Sequence, residues 1–287
     1  MTERFDLEKI QEIPLESELY PLEWKTLSDA PPTLYAYGNI SLLKRRKFAI
    51  VGSRRTPANA MKLGTEIAEE LSQTFVIVTG TADGGDSAAI EGALLGGGEV
   101  ICVLAGGFSA MPQWSLPLLL KAAKKGLLIS PYPFDVPVRS FSYEYRNKLL
   151  AALSEGVLVL SAGEKSGALI TAKYAQKQNK PVFAFPYPPN ALAGAGCNAL
   201  LKKGGYLTEN SVDISERFGI NLLKKKRVEL TADEEKIYET LRELLEGHIE
   251  EISRNSGVPV YKARAVLSAL EVKGLTVSLG GNRYTTV

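Results

Sequence analysis

Lys47–Gly52 reads KFAIVG, a short and continuous apolar run that ends in glycine. Five similar runs follow it: Phe75–Gly80 (FVIVTG), Val100–Gly107 (VICVLAGG), Gly126–Ser130 (GLLIS), Val157–Ser161 (VLVLS) and Pro181–Phe185 (PVFAF). Strands without alternating polar residues are buried on both faces, which is typical of parallel sheets. Helices are expected between them at Ala58–Ser72, Ser87–Leu95, Leu116–Lys125 and Ala168–Gln178. This order predicts an α/β fold with a doubly wound, mainly parallel sheet.

The pattern changes after about Lys224, where shorter amphipathic segments replace the apolar runs. Helices and hairpin strands are expected at Leu230–Leu245, Ile249–Asn255, Pro259–Lys273, Leu275–Leu279 and Arg283–Thr286. Thr231 and Glu234 have the spacing of a capping box at the start of the first helix. Three helices followed by a hairpin predict a small winged helix-turn-helix domain.

These boundaries divide the chain into four segments. Residues 1–46 are rich in proline and glutamate and are expected to be a lead-in that packs on the core. Residues 47–221 form the α/β domain, residues 222–229 form a basic linker, and residues 230–287 form the winged-helix domain.

The composition of the 287 residues, 45% apolar and 23% charged, is typical of a globular protein. No apolar run approaches the roughly 20 residues that span a bilayer, and the N-terminus lacks a signal-peptide pattern, so we expect a cytoplasmic protein without membrane contact. Cys102 and Cys197 form no CxxC pair and are expected to be small buried residues. His248 is the single histidine and lies in a charged stretch, which argues against a catalytic triad or a histidine metal site.

Basic residues are concentrated in the middle of the chain. Residues 48–207 carry 15 basic and 11 acidic side chains, whereas residues 229–287 carry 7 basic and 10 acidic ones. The middle segment is therefore the better candidate for contact with nucleic acid. The run Lys44–Lys47 (KRRK) reads equally as such a contact or as a solvated strand edge, and Lys224–Arg227 (KKKR) is expected to be a solvated linker.

Glycine-rich turns follow the predicted strands, at the sheet edge where open α/β folds bind ligands. The turn Gly52-Ser53-Arg54-Arg55 offers backbone N–H groups and a guanidinium that suit a phosphate. The turn at Thr79–Asp86 carries two aspartates that would repel phosphate, and Asp86 is expected to cap a helix that begins at Ser87. Two further turns, Ser166-Gly167-Ala168 and Gly194–Asn198, have the same glycine-rich character.

The stretch Arg139–Lys148 (RSFSYEYRNK) interleaves aromatic rings with cations. Rings among cations are what a single-stranded nucleic acid needs for base stacking and phosphate contact. The chain has no GxxxxGK[ST] motif and no GxGxxG after the first strand, so neither a P-loop ATPase nor a dinucleotide enzyme is indicated, and no cofactor is expected.

Taken in order, these motifs resemble the DNA-processing protein A (DprA/Smf) family. The resemblance rests on LYPLEWKTLSDAPPTLYAYGNI, IVGSRR, VIVTGTADGGDSAAIEGAL, VICVLAGGF, YRNKLLAALSEGVLVL, SGALITAKYA and GCNALL, which span Leu19–Leu207. It implies an extended Rossmann domain that binds single-stranded DNA in a basic pocket, a homodimer, and loading of a RecA-type recombinase in natural transformation.

The resemblance also assigns the site. Its motifs match Gly52, Ser53 and Arg54; Arg146, Asn147 and Lys148; Ser166, Gly167 and Thr171; and Asn198, with Tyr143 where the family usually has phenylalanine. Together with the cations and rings above, the candidate DNA- and phosphate-binding residues are Gly52, Ser53, Arg54, Arg55, Arg139, Phe141, Tyr143, Arg146, Asn147, Lys148, Ser166, Gly167, Thr171 and Asn198. The chain departs from the family pattern at Asp83, Ile90 and Pro131.

The sequence therefore predicts a non-enzymatic protein that binds single-stranded DNA and passes it to a recombinase. A nucleotide-binding or nucleotide-hydrolysing Rossmann protein of the phosphoribohydrolase type is the main alternative, although the chain has no PGGxGTxxE run. A transcription factor that binds DNA through the winged helix is a second alternative. The excess of acidic residues in 229–287 argues against it, because DNA-reading domains are usually basic.

Overall fold

A computed structural model of the chain describes residues 5–222 and 230–286. The chain divides into two compact units, residues 1–223 and 224–287. The basic run Lys224–Arg227 and all of the predicted linker except Leu222 lie outside the described residues.

The first unit alternates strands and helices. Its strands are β1 (Gln11–Pro14), β2 (Thr33–Gly38), β3 (Lys47–Val51), β4 (Val76–Thr79), β5 (Val100–Val103), β6 (Leu127–Ser130), β7 (Val157–Val159), β8 (Val182–Ala184) and β9 (Tyr206–Leu207). Its helices are α1 (Leu22–Lys25), α2 (Ala58–Leu71), α3 (Gly85–Leu95), α4 (Leu116–Ala123), α5 (Ser140–Leu153), α6 (Ala168–Lys177), α7 (Ala195–Lys202) and α8 (Ser211–Arg217). Every strand and helix that the sequence pattern predicts here is present, which confirms the α/β fold class.

All of these strands belong to one nine-stranded sheet with the order β1-β2-β6-β5-β4-β3-β7-β8-β9. From β6 through β5, β4, β3, β7 and β8 to β9, neighbouring strands of the sheet pair in parallel. β2 pairs antiparallel with β6, and β1 pairs antiparallel with β2 at the edge. The lead-in is therefore more than a segment that packs on the core, because it supplies two strands of the sheet. Sequence pattern alone misses these strands because prolines surround them and only alternate residues are buried.

Successive residues of β3 belong to two different cores, one on each face of the sheet. Ala49 and Val51 pack against α5 and α6, whereas Phe48 and Ile50 pack against α2 and α3. Burial on both faces is the physical reason why β3 reads as a continuous apolar run. Lys47, at its start, is buried with its ammonium 2.9 Å from Glu23.

The strand order reverses direction between β3 and β7. From β3 the chain first builds outward through β4, β5 and β6, and then returns to place β7 on the other side of β3. A crevice opens at such a switch point, outside the carboxyl ends of the two strands, because their connections leave toward opposite faces. The turns after β3 and β7 meet there, since the Ser53 N–H donates to the Ser161 carbonyl at 2.9 Å.

The second unit contains α9 (Ala232–Leu244), β10 (Glu246–His248), α10 (Ile249–Ser256), α11 (Val260–Val272), β11 (Thr276–Gly280) and β12 (Arg283–Thr286). Its strands form an antiparallel sheet in the order β10-β12-β11. Thr231 and Glu234 cap α9 reciprocally, as the spacing predicts. These elements form the predicted winged helix-turn-helix around a core of their own that includes Ile237, Ile252 and Leu267.

His248 ends β10 and is half-buried, and its Nδ1 accepts the Glu250 N–H at the start of α10. Cys102 and Cys197 are both buried and unpaired, as expected. Among the described residues, no helix combines the length and apolar character that crossing a membrane requires.

Candidate functional site

A cavity of about 290 Å³ lies at the carboxyl ends of β3 and β7. Four chain segments enclose it: the turn after β3, the turn after β4, one face of α5 and the start of α6. Its lining residues are Val51, Gly52, Ser53, Arg54, Ala82, Asp86, Tyr143, Arg146, Asn147, Leu150, Ser166, Gly167, Ala168 and Thr171. Most of the predicted site residues therefore meet in one pocket at the topological switch point.

Glycine residues bring the turns after β3 and β4 into direct backbone contact. A Cβ at Gly52 would lie 2.9 Å from the Cα of Gly85, so only glycine allows this approach. Gly84 has a φ of 78°, a left-handed conformation that favours glycine. The Gly85 N–H then donates to the Ser53 carbonyl at 3.2 Å, which joins the two turns.

The backbone N–H groups of the first turn are already occupied. The Ser53 N–H donates to the Ser161 carbonyl, the Arg55 N–H donates to the Ser53 hydroxyl, and the Gly52 N–H lies beside the Asp86 carboxylate, where it helps to lower the pKa of that group. The expected backbone anion seat is therefore not free at these three positions. The guanidinium of Arg54 is left as the group of this turn that can meet an anion.

Arg54 and Tyr143 form a cation–π pair at the pocket. The guanidinium carbon of Arg54 lies 5.3 Å from the centroid of the Tyr143 ring. Both residues are exposed, and Arg54 has no ion-pair partner among the described residues. The pocket thus offers an unpaired cation beside an aromatic face.

Arg146 is not the free cation that the sequence suggests, because it is only 4% exposed. Its Nη1 donates to the Val103 carbonyl at 2.9 Å, its Nε donates to Asn147 Oδ1 at 2.8 Å, and its Nη2 lies 4.0 Å from Asp86 Oδ2. Burial lowers the pKa of Arg146, and the charge of Asp86 opposes this shift.

Asp86 is the buried counter-ion of this arginine. Its carboxylate also accepts the Ala82 N–H at 3.1 Å. Burial raises the pKa of Asp86, whereas Arg146 and the two backbone N–H groups act in the opposite direction. The expected capping role is wrong, because α3 begins at Gly85 and its N-cap is Gly84.

The start of α6 forms the wall opposite the turns. Asn147 Nδ2 donates to the Gly167 carbonyl at 3.0 Å, and the Ser166 hydroxyl accepts the Ala168 N–H at 3.3 Å. Thr171, one turn into α6, is completely buried, and its hydroxyl has no hydrogen-bond partner among the described residues. A buried hydroxyl without a partner is costly, and this one belongs to a residue that lines the pocket.

The remaining predicted site residues do not line this pocket. Arg55, Arg139 and Phe141 are exposed outside it, and Arg139 is the N-cap residue of α5. Lys148 forms an ion pair with Asp29, and Asn198 exchanges two hydrogen bonds with the backbone of Tyr187. The motif order therefore predicts the region, but not which of its side chains reach the cavity.

The family departures fall largely outside the cavity. Asp83 is exposed, and its carboxylate accepts the Gly84 N–H at 2.8 Å. Ile90 is buried in the core and Pro131 is buried after β6, and neither lines the pocket. The sequence interpretation missed Ala82, Leu150 and the pairing of Asp86 with Arg146. The glycines beside Asp86 were the available signal, since they mark a close backbone approach.

Comparison with known sequences identifies relatives along most of the chain. The sequence profile of the DNA recombination-mediator protein A family matches residues 11–219. DNA processing protein DprA of Bacillus subtilis is 35% identical over 213 residues, covering 72% of this chain and 71% of that protein. Protein Smf of Escherichia coli is 30% identical over 282 residues, covering 94% of this chain and 75% of that protein.

Solved structures with a similar fold include members of the same family as these sequence relatives. The X-ray structure of DprA from Streptococcus pneumoniae has a TM-score of 0.69 and 32% identity, covering 72% of this chain and 74% of that chain. DprA from Helicobacter pylori, whose structure concerns its single-stranded DNA binding mode, has a TM-score of 0.65 and 32% identity over 72% of this chain and 95% of that chain. The fold, the profile match and these relatives confirm the resemblance, and the chain belongs to the DNA recombination-mediator protein A (DprA/Smf) family.

Proposed function

We propose that this protein binds single-stranded DNA in the pocket at the carboxyl ends of β3 and β7. The observation that carries the proposal is the unpaired Arg54 guanidinium, held over the Tyr143 ring at the mouth of a cavity with an unsatisfied Thr171 hydroxyl. A cation beside an aromatic face suits a phosphate and a stacked base. The H. pylori relative is a protein whose structure was described for its single-stranded DNA binding mode, which supports the same ligand here.

The pocket chemistry favours binding over catalysis. Among the described lining residues, Asp86 is the one carboxylate, and it is buried against Arg146. A general acid or base must reach the proton that it transfers. A buried carboxylate that faces a guanidinium and accepts the Ala82 N–H is poorly placed for that, so we propose a non-enzymatic protein without a cofactor.

The family description as a recombination mediator supports a more specific role. We propose that the protein, as a homodimer, passes bound DNA to a RecA-type recombinase during natural transformation. In this proposal residues 47–221 carry the DNA site, residues 1–46 complete their sheet, and the winged-helix unit serves another contact. Strand-exchange assays with purified recombinase and single-strand-binding protein would test the transfer, and light scattering would test the dimer.

A binding titration tests the ligand class. We expect tighter binding to an unstructured single-stranded oligonucleotide than to duplex of the same length, with little sequence preference and strong salt dependence. Equal affinity for duplex would contradict the proposal. Binding of a mononucleotide alone would instead favour the nucleotide-binding alternative.

A further inference from the structure

We propose that Arg146 and Asp86 are positioning residues, which hold the pocket walls through Asn147 and do not themselves contact the bound DNA. This inference rests on the proposed single-stranded DNA binding and names how the site is organised. It assigns the direct contact between a cation and DNA in the pocket to Arg54, whereas Arg146 orients the groups around it.

The donors of Arg146 point in three directions. Its Nε, Nη1 and Nη2 face Asn147, the Val103 carbonyl and Asp86, respectively. A guanidinium has its N–H donors in a fixed plane, so the two hydrogen bonds and the facing carboxylate together set the orientation of the whole group. Turning Arg146 toward a phosphate would leave Asp86 buried without its counter-ion, which is strongly unfavourable.

Asn147 links Arg146 to the start of α6. Asn147 accepts from Arg146 through Oδ1 and donates to the Gly167 carbonyl through Nδ2 at 3.0 Å. Both ends of this amide are therefore engaged, and its orientation is set by Arg146. Because Gly167 is the N-cap residue of α6, the network fixes the start of the helix that carries Thr171.

Asp86 and its neighbour Gly85 link Arg146 to the turns after β3 and β4. The Asp86 carboxylate accepts the Ala82 N–H, in the turn after β4, at 3.1 Å. The N–H of the adjacent Gly85 donates to the Ser53 carbonyl, in the turn after β3, at 3.2 Å. A side chain at Gly80 would collide with both the Arg146 guanidinium and the Asp86 carboxylate, so the absence of a Cβ there makes room for the pair. One buried network thus joins all four segments that enclose the pocket.

The charges that line the pocket also distinguish the two arginines. Asp86 and Arg146 neutralise each other, so Arg54 carries the unbalanced positive charge among the described lining residues. Each phosphate neutralised on a single strand contributes about −0.7 to the slope of log K against log salt. The slope therefore reports which arginine meets a phosphate, whereas a lost positioning contact lowers affinity at every salt concentration alike.

The test compares Arg54→Gln with Arg146→Gln by fluorescence anisotropy of a labelled oligonucleotide over a salt series. We expect Arg54→Gln to weaken binding and to reduce the slope by about 0.7. Arg146→Gln should weaken binding at least about fivefold with the slope of the unmodified protein. Lys44→Gln, which removes an exposed charge before the amino end of β3, is the control for general electrostatics. An equal reduction of the slope by Arg146→Gln would overturn the inference.

Asp86→Asn distinguishes a positioning role of Arg146 from direct DNA contact, because the two roles predict opposite changes in DNA affinity. If Arg146 contacted DNA directly, removing its counter-ion would free a positive charge and tighten binding. The positioning role predicts weaker binding, because a neutral amide cannot hold the guanidinium and the Ala82 N–H as the carboxylate does. Tighter binding would overturn the inference.

Circular dichroism and thermal unfolding identify variants that fail to fold. In that event Arg146→Lys is measured, since it keeps the buried charge but loses the planar fork. Weakened binding with an unchanged slope supports the positioning role, and affinity equal to that of the unmodified protein contradicts it. If the unmodified protein does not bind single-stranded DNA at all, the proposed function fails, which is a separate result from equal slopes.

Discussion

The Arg54 guanidinium lies over the ring of Tyr143, with 5.3 Å between the guanidinium carbon and the ring centroid. Arg54 belongs to the turn after β3 and Tyr143 to the first turn of α5, so the contact joins two walls of the pocket. Because the partner is a ring and not a carboxylate, the positive charge is oriented without being neutralised. The pair therefore presents a cation and an aromatic face to the same ligand.

Two replacements of Tyr143 distinguish the contribution of its ring to DNA binding from that of its hydroxyl. We expect Tyr143→Ala to weaken single-stranded DNA binding by about 1–3 kcal/mol, the usual contribution of one base-stacking ring. Tyr143→Phe keeps the ring and should bind within about twofold of the unmodified protein, a difference of roughly 0.4 kcal/mol. Anisotropy titrations at one fixed salt concentration give both values. Equal losses in the two variants would assign the effect to the hydroxyl and contradict the stacking role.

Thr171→Val tests whether the unpaired hydroxyl serves the ligand. Valine has nearly the shape of threonine, and the Thr171 hydroxyl has no hydrogen bond among the described residues that the change would break. We therefore expect the free energy of unfolding to stay the same or to rise, because a buried polar group without a partner is removed. DNA affinity should fall by about 1 kcal/mol, the net value of one hydrogen bond.

Urea unfolding and DNA titration measure the two effects on the same Thr171→Val protein. A loss of stability with unchanged affinity would show that the hydroxyl supports the fold and not the ligand.

Trp24 tests whether the N-terminal segment is an integral part of the α/β unit. The indole is completely buried, and its Nε1 donates to the Leu149 carbonyl of α5 at 2.8 Å. We expect Trp24→Ala to lower the free energy of unfolding by about 3–5 kcal/mol, as for other buried large-to-small changes. Leu22→Ala, on the same helix but with a 75% exposed side chain, should change it by less than about 0.5 kcal/mol. Similar values for the two variants would contradict the packing described for the N-terminal segment.

Sequence patterns predict the strands of this fold well because burial on both faces removes the polar residues that would interrupt them. β3, β4, β5 and β6 all appear as continuous apolar runs, and every one of their residues is buried. The strands β1 and β2 are missed for two reasons. β1 is an edge strand that ends in Pro14 and buries one residue, and β2 buries only alternate residues, so neither forms a continuous apolar run.

The sequence predicts the region of the site but not the pairing of its cations, for a different reason. Arg54, Arg146 and Lys148 look alike in the sequence, yet one is unpaired, one is buried against Asp86 and one is paired with Asp29. Which cation is free depends on acidic residues far away in the chain, and a single sequence does not give their spatial pairing. The order of motifs finds the pocket, and tertiary pairing decides which residues act in it.

Removal of the winged-helix unit tests the division of roles. The two units have separate hydrophobic cores, and the site residues described above all precede Lys203. A chain of residues 1–222 should therefore fold and retain single-stranded DNA affinity within about tenfold, roughly 1.4 kcal/mol. Anisotropy at one fixed salt concentration compares it with the full chain. A larger loss would mean that the winged helix itself binds DNA.

A pair of charge reversals on either side of β3 measures the central claim most directly. Arg54 follows the carboxyl end of this strand and Lys44 precedes its amino end, and both side chains are exposed. Reversing either charge changes the net charge of the protein equally, so a diffuse basic surface predicts equal losses of DNA affinity. The pocket described here predicts that Arg54→Glu weakens single-stranded DNA binding by more than about tenfold, and Lys44→Glu by less than about threefold. Equal losses for Arg54→Glu and Lys44→Glu would contradict a binding site at the ends of β3 and β7.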